Sequence, residues 1–300
     1  MSSHYTKDIN GWIILDKPKG LSSNQALRKI QYELKAKKAG HIGTLDPFAT
    51  GVLPLAFGEA TKLIHYLEGN EKTYEFTLKF GQQTTTGDIE GEINNTTTKI
   101  PTENEIKKII PNFIGEISQI PPKYSAIHIN GQRAYDLARS GVDFEVPKRT
   151  VSIKNLELKD YFADSNCAYF SVTCSKGTYV RTLGEDIAKS LGSLGHLTTL
   201  RRTKTSIFNL SDTILLEKLK NMLYTTSEEN IVLPVETFLC DITVIALTQN
   251  DAFKLKRGQT IENKQNIELG TIVSAVFEDK LVALVEAREN SLFPIRVFNH

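Results

Sequence analysis

Asp46 is the only formally charged residue between His41 and Gly58, and it lies in the stretch GHIGTLDPFATGVLP (40–54). A carboxylate in such company has two readings. It can bond nearby backbone N–H groups in an Asp-Pro turn. It can also be aimed into a cleft, because Pro47 restricts the residue before it to extended conformations and the neighbouring glycines let backbone approach a ligand closely. An ionised carboxylate in a closed pocket serves as a nucleophile or as an electrostatic partner. Three other places supply what it needs if it acts on a nucleotide. Lys17 and Pro18, with Gly20, form a turn after the first predicted strand. Tyr74 either sets its ring against a base or is ordinary core at an apolar strand position. Arg181, in GTYVR (177–181), can pair with the carboxylate and hold it ionised.

The elements that must position these groups follow from apolar spacing. GWIIL (11–15) reads as a strand, and Ser22-x-x-Gln25 is a capping box that opens a helix with Leu27, Ile30 and Leu34 on its apolar face. The stretch 40–54 reads as a glycine-rich loop, and Ala60, Leu63, Ile64 and Leu67 are again spaced as a helix. TYEFTLKF (73–80) alternates strictly and predicts a half-buried strand. The polar region 84–100 reads as a flexible loop with no assigned role, and Thr102-x-x-Glu105 caps a short helix. Residues 121–149 mix aromatic, basic and glycine residues without period, as a functional insertion does. Strands are predicted at 151–158 and 167–174, then a turn into a helix packing on Leu183, Ile187 and Leu191, then an extended return over 193–210. Beyond Pro234 the texture becomes short strands split by turns, which defines a separate β module over 241–300. The fold class is α+β: a mixed sheet flanked by helices, with a small β-rich C-terminal domain.

Composition narrows the function classes. Of 300 residues, 40% are hydrophobic and 24% charged, enough for one large core and a smaller domain. No segment approaches the roughly 18 uninterrupted apolar residues of a membrane span, so a cytoplasmic protein is expected. Cys167, Cys174 and Cys240 form no CxxC pair and the six histidines have no metal spacing, so no metal site is expected. Net charge is +1, but Lys35/Lys37/Lys38, Lys148/Arg149, Arg201/Arg202/Lys204 and Lys254/Lys256/Arg257 are clustered, while Asp88, Glu90, Glu92, Glu103 and Glu105 lie elsewhere. Such segregation either leaves a basic face for a phosphate backbone or reflects solvated helix ends and loops. No exposed heptad argues against a monomer.

DKPKGLSSNQAL (16–27), GHIGTLDPFATGVLP (40–54), GEATK and KTYEF (58–76), QIPPKYSAIHINGQRAYDLARSG (119–141), GTYVRTLGEDI (177–187) and HLTTLRRT (196–203) together resemble the bacterial tRNA pseudouridine synthases of the TruB type, in family order. The resemblance implies isomerisation of uridine 55 in the TΨC loop of tRNA by base flipping, a reaction without redox change that requires no cofactor or metal, with Asp46 as catalytic nucleophile and Arg181 as its salt-bridge partner. It implies that Tyr74 stacks on the target base, that His41, Tyr179 and Leu200 line the nucleotide site, and that Lys17 and Pro18 support the pocket from its other side. It further implies a catalytic domain over 1–240 whose 121–149 insertion, with His128 and Arg133, grips the T-arm. Residues 241–300 then correspond to a PUA-like RNA-binding domain. The residues alone also fit a base-excising glycosylase, which would release free uracil, and an RNA-folding protein in which Asp46 only makes a turn.

Overall fold

The computed structural model describes residues 6–67, 71–122, 128, 129, 131–133, 137, 140, 144–225 and 231–299. A ten-stranded mixed sheet runs in the order Ile214–Leu215, Gly11–Lys17, Thr50–Phe57, Gly195–Thr205, Lys72–Phe80, Cys167–Cys174, Arg149–Phe162, Gly115–Gln119. Ala39–His41 and Phe208–Asn209 attach to its side. The strict alternation of the Lys72–Phe80 strand becomes one buried row, Tyr74, Phe76, Leu78 and Phe80, with Phe76 stacked on Phe170 at 5.1 Å between ring centroids. Its other face is polar: Thr73 pairs with Thr173 at 3.1 Å and Thr77 with Thr199 at 2.8 Å.

Two helices cover the buried row. Ser23–Leu34 starts from the reciprocal Ser22/Gln25 cap and inserts Ala26, Leu27, Ile30 and Leu34. Val180–Ser190 inserts Val180, Leu183, Ile187 and Ala188. The first turn of this second helix carries Arg181 into the same layer as Tyr74, so the core that holds the sheet also holds the charged group.

Two segments depart from the sequence expectation. The second half of 40–54 is a strand, Thr50–Phe57, in the middle of the sheet. Val52, Leu53, Leu55, Ala56 and Phe57 are all fully buried, so this is the continuous apolar run of a strand covered on both faces. Gly51 and Pro54 disguise it. Gly51 has φ +104°, and a Cβ there would lie 2.1 Å from the Arg202 carbonyl oxygen, so only glycine lets the strand lie against its parallel neighbour. Gly51→Ala is expected to lower stability by about 2–4 kcal/mol through this clash and the positive φ. Gly20→Ala, at φ +86° with nothing within 4 Å of an added Cβ, should cost only about 1–2 kcal/mol. Urea unfolding of the two variants side by side checks the difference.

The second departure is 84–100, which is an ordered hairpin of Gln82–Thr84 with Ile93–Thr96. Its connection buries Asp88, whose carboxylate accepts from Thr86 Oγ1 at 2.7 Å and from the Glu90 N–H at 3.0 Å.

A five-stranded sheet follows in the order Val244–Ala246, Ile272–Phe277, Lys280–Arg288, Ser291–Val297, Ile261–Glu262. One face packs on Ala252 and Leu255 of the Gln249–Lys256 helix. The other face brings Leu281, Leu284 and Phe298 into a cluster with Trp12, Val52 and Phe238 on the back of the large sheet. Trp12 Nε1 donates to the Val235 carbonyl at 3.1 Å and Lys62 Nζ to that of Val297 at 2.7 Å, closing the polar ends of this apolar joint. Among the described residues no helix is long and apolar enough to cross a membrane.

Candidate active site

Asp46 sits in the loop between the Ala39–His41 and Thr50–Phe57 strands and meets Arg181 in a two-point ion pair. Arg181 Nη2 donates to Oδ1 at 3.1 Å, and Nε lies 2.9 Å from Oδ2. Nη1 of the same guanidinium donates to the Thr86 carbonyl at 3.0 Å and stands 3.5 Å from Asp88 Oδ2. One cation is thus shared by two acids whose surroundings differ. The Asp88 side chain is 5% exposed, whereas that of Asp46 is 32% exposed. Only Asp46 presents an oxygen to a ligand.

The space it faces is a cavity of about 280 Å³, close to the small end of ligand pockets, roughly 300 Å³. Its wall is formed by Gly43–Asp46, Lys72, Tyr74, Ser175–Arg181, Leu200 and Arg202. Tyr74 and Arg202 are register partners on adjacent strands, and Leu200 lies two residues before Arg202 on the same face. The cavity is thus flanked by apolar and aromatic side chains, with the Asp46 carboxylate at its edge.

Burial raises the Asp46 pKa above its ordinary value. Arg181 opposes the shift, Asp88 adds to it and Lys17 opposes it. For an acid with a raised folded pKa the sign is plain: burying the anion disfavours folding above that pKa, and the penalty is relieved as pH falls through it. Chemistry that needs the anion is lost over the same fall. The acid limb of single-turnover rate against pH should therefore have its midpoint above 3.8, with circular dichroism still reporting folded protein; a midpoint at or below 3.8 contradicts this placement. Burial also raises the Tyr74 pKa, opposed by the Arg202 guanidinium beside it, so the phenol stays protonated at neutral pH.

Of the residues singled out in the sequence, Asp46, Tyr74, Tyr179, Arg181 and Leu200 surround this one cavity. His41 ends the Ala39–His41 strand, paired with Leu55, and is not in the wall. Lys17 and Pro18 are not in the wall either. The Lys17 side chain is fully buried and its ammonium donates to the carbonyls of Pro18, Leu21 and Pro47. It fastens the loop that carries Asp46 from below, and its donors are already taken up by backbone. Burial pulls its pKa down to about 8. Of the basic cluster at 201–204, Arg201 forms a two-point pair with Asp16, at 3.0 and 2.7 Å, Arg202 is fully buried, and Lys204 is exposed. In the 121–149 insertion, residues 123–127, 130, 134–136, 138, 139 and 141–143 lie outside the described residues, as do the side chains of His128 and Arg133.

Asp88 and Arg202 were not assigned to the site from sequence. Arg202 carries a legible signal, since it shares a strand face with Leu200. Asp88 carries none, because it arrives from a polar hairpin remote in sequence. Among the described residues no group of His, Cys, Asp or Glu side chains is placed to hold a metal ion.

The structure thus places a salt-bridged carboxylate beside an aromatic ring, at a cavity on one face of a long mixed sheet. The chain belongs to the TruB family of pseudouridylate synthases: residues 31–180 match the model of the family's N-terminal domain, and residues 181–240 that of the tRNA pseudouridylate synthase B C-terminal domain. It is 45% identical over 299 residues to the tRNA pseudouridine synthase B of Caulobacter vibrioides, covering 97% of this chain and 96% of that one. It is 42% identical over 293 residues to that of Ehrlichia canis, covering 96% and 97%. Among solved structures, a Cbf5-Nop10-Gar1 complex contains a chain of similar fold at a TM-score of 0.74 and 25% identity, covering 96% of this chain and 84% of that one. An H/ACA ribonucleoprotein bound to a substrate RNA containing 2′-deoxyuridine contains another at 0.75 and 23%, covering 99% and 86%.

Proposed function

We propose that the protein converts the TΨC-loop uridine of tRNA into pseudouridine, with Asp46 as the catalytic carboxylate. The observation that carries this reading is the Asp46–Arg181 pair facing a cavity walled by Tyr74, Tyr179 and Leu200, in a chain of this family. The reaction breaks the bond from ribose C1′ to uracil N1 and forms one from C1′ to C5. The C5 proton leaves and N1 gains one, so atoms balance with no redox change, and a positioned anion suffices. The uridine must leave its stack to reach Asp46, at a cost of a few kcal/mol. Stacking on Tyr74 offsets part of that cost, since a base on an aromatic ring is worth about 1–3 kcal/mol.

His41, at the start of the same loop, holds the flipped nucleotide. The 121–149 insertion grips the T-arm. Residues 241–300 act as a PUA-like RNA-binding domain, for which the exposed Lys256, and Arg257 stacked 4.2 Å over the Phe253 ring, offer cationic and planar groups. The enzyme works as a cytoplasmic monomer.

A T-arm stem-loop transcript tests the reading. Nucleoside analysis should find pseudouridine at the target position with the RNA mass unchanged, and none in a transcript carrying cytidine there. A mass loss equal to uracil would establish a glycosylase instead. Tyr74→Leu is expected to slow single turnover about 10–100-fold, the kinetic equivalent of the stacking energy, while leaving the melting temperature near that of the parent.

A further inference from the structure

Arg202 is a fully buried cation whose Nε and Nη2 donate to backbone carbonyls and not to a carboxylate. Its Nε donates to the Val52 carbonyl at 2.7 Å, and its Nη2 to the carbonyls of Gly43 at 2.9 Å and Ile42 at 3.5 Å. These acceptors lie on the two sides of Asp46 in the chain: Ile42 and Gly43 lead into the catalytic loop, and Val52 leads out of it. A single planar group therefore closes the loop at its neck.

Its backbone takes part as well. Arg202 is the parallel register partner of Gly51, whose missing Cβ makes room for the Arg202 carbonyl. On the remaining side Nη1 is buried and lies where a Cβ on Gly43 would come within 2.9 Å, and the guanidinium sits beside the Tyr74 hydroxyl at the cavity wall. Tyr74, its register partner, stands at the same wall.

We propose that Arg202 is a positioning residue of the reaction, which ties the two ends of the Asp46 loop together and sets Tyr74 against it, so that carboxylate and ring keep a fixed separation around the flipped base. The proposal rests on the function given above. Lysine cannot do this. A guanidinium offers separate N–H groups in one rigid plane, whereas an ammonium offers one centre that cannot reach acceptors on both sides of the neck. Burying a cation is costly unless its donors are used, and the fork uses two of its three nitrogens on this loop. Arg202 acts on geometry, and Arg181 acts on charge.

The test is Arg202→Lys, assayed by single turnover with saturating enzyme on the T-arm stem-loop and by equilibrium binding of the same RNA. The rate should fall about 100-fold, the loss that a displacement of the order of 1 Å produces, with the dissociation constant within about threefold of the parent. A structural role alone would not separate the rate from binding. Gly43→Ala keeps the charge but crowds Nη1, and it should reproduce the same split. A wild-type rate in Arg202→Lys, or a rate loss matched by an equal loss of binding, overturns the proposal. Failure of both variants to fold overturns it too, because Arg202 is then a stability residue. If the parent protein forms no pseudouridine, it is the proposed function that fails, so the two failures are distinguishable.

Discussion

Asp46→Asn is expected to remove pseudouridine formation almost entirely, lowering the single-turnover rate by about 10⁴-fold or more, while tRNA binding stays within about threefold of the parent. The amide is the same size as the carboxylate and keeps an oxygen for Arg181 Nη2, which donates to Asp46 at 3.1 Å. What it lacks is the charge and the nucleophilic oxygen. Arg181 is not stranded by the change, because Asp88 and the Thr86 carbonyl still face its Nη1. Folding is therefore spared. Burial already pushes the Asp46 carboxyl towards its neutral form, so replacing it by a neutral group should leave the unfolding midpoint equal to or above that of the parent. Loss of rate with retained binding and stability is the pattern of a group that acts only in the reaction.

Arg181→Met should damage both stability and activity. It leaves the Asp46 and Asp88 carboxylates sharing one site with no cation between them, and the Thr86 carbonyl without its donor. Breaking a buried ion pair by removing one partner costs about 3–5 kcal/mol. The Asp46 pKa must rise further, since Arg181 is the largest influence opposing its burial. At neutral pH the anion is then scarce, and turnover should drop by about 10³-fold or more, with some recovery as pH rises. Adding Asp88→Asn to Arg181→Met removes one of the two repelling acids. The double variant should regain about 1–3 kcal/mol of the lost stability without regaining activity. Urea unfolding and single-turnover rates on the four proteins of this cycle check both statements.

Much of this was legible in the chain because local and global signals agreed. The alternation of TYEFTLKF and the Ser22-x-x-Gln25 cap each specify one element, and both form as read. The residue types allowed Asp46 to pair with Arg181, and the family resemblance of the motifs around both residues implied that pair. The central strand Thr50–Phe57 was obscured by Gly51 and Pro54, which usually mark a turn. Here the glycine answers a close backbone approach that exists only after the Gly195–Thr205 strand has docked.

Asp88 illustrates a different limit. Its neighbours in sequence are polar and acidic, and nothing local distinguishes it from a solvated hairpin residue. It becomes part of the site because the hairpin folds back over the helix that carries Arg181, a contact between residues 88 and 181 that no period encodes. Lys17 and Arg202 show the same limit in reverse. Both are basic residue types, but their donors point inward to backbone carbonyls of the Asp46 loop and its flanks.

The most direct measurement uses a T-arm stem-loop whose uridines carry tritium at C5, incubated with the unaltered protein. Replacing the C5–H bond by a C5–C1′ bond must release that hydrogen to water. The tritium released should equal one per target uridine, with no free uracil formed. Labelled uracil leaving the RNA with its tritium still attached, or no release of either kind under conditions where the RNA is bound, contradicts isomerisation at this site.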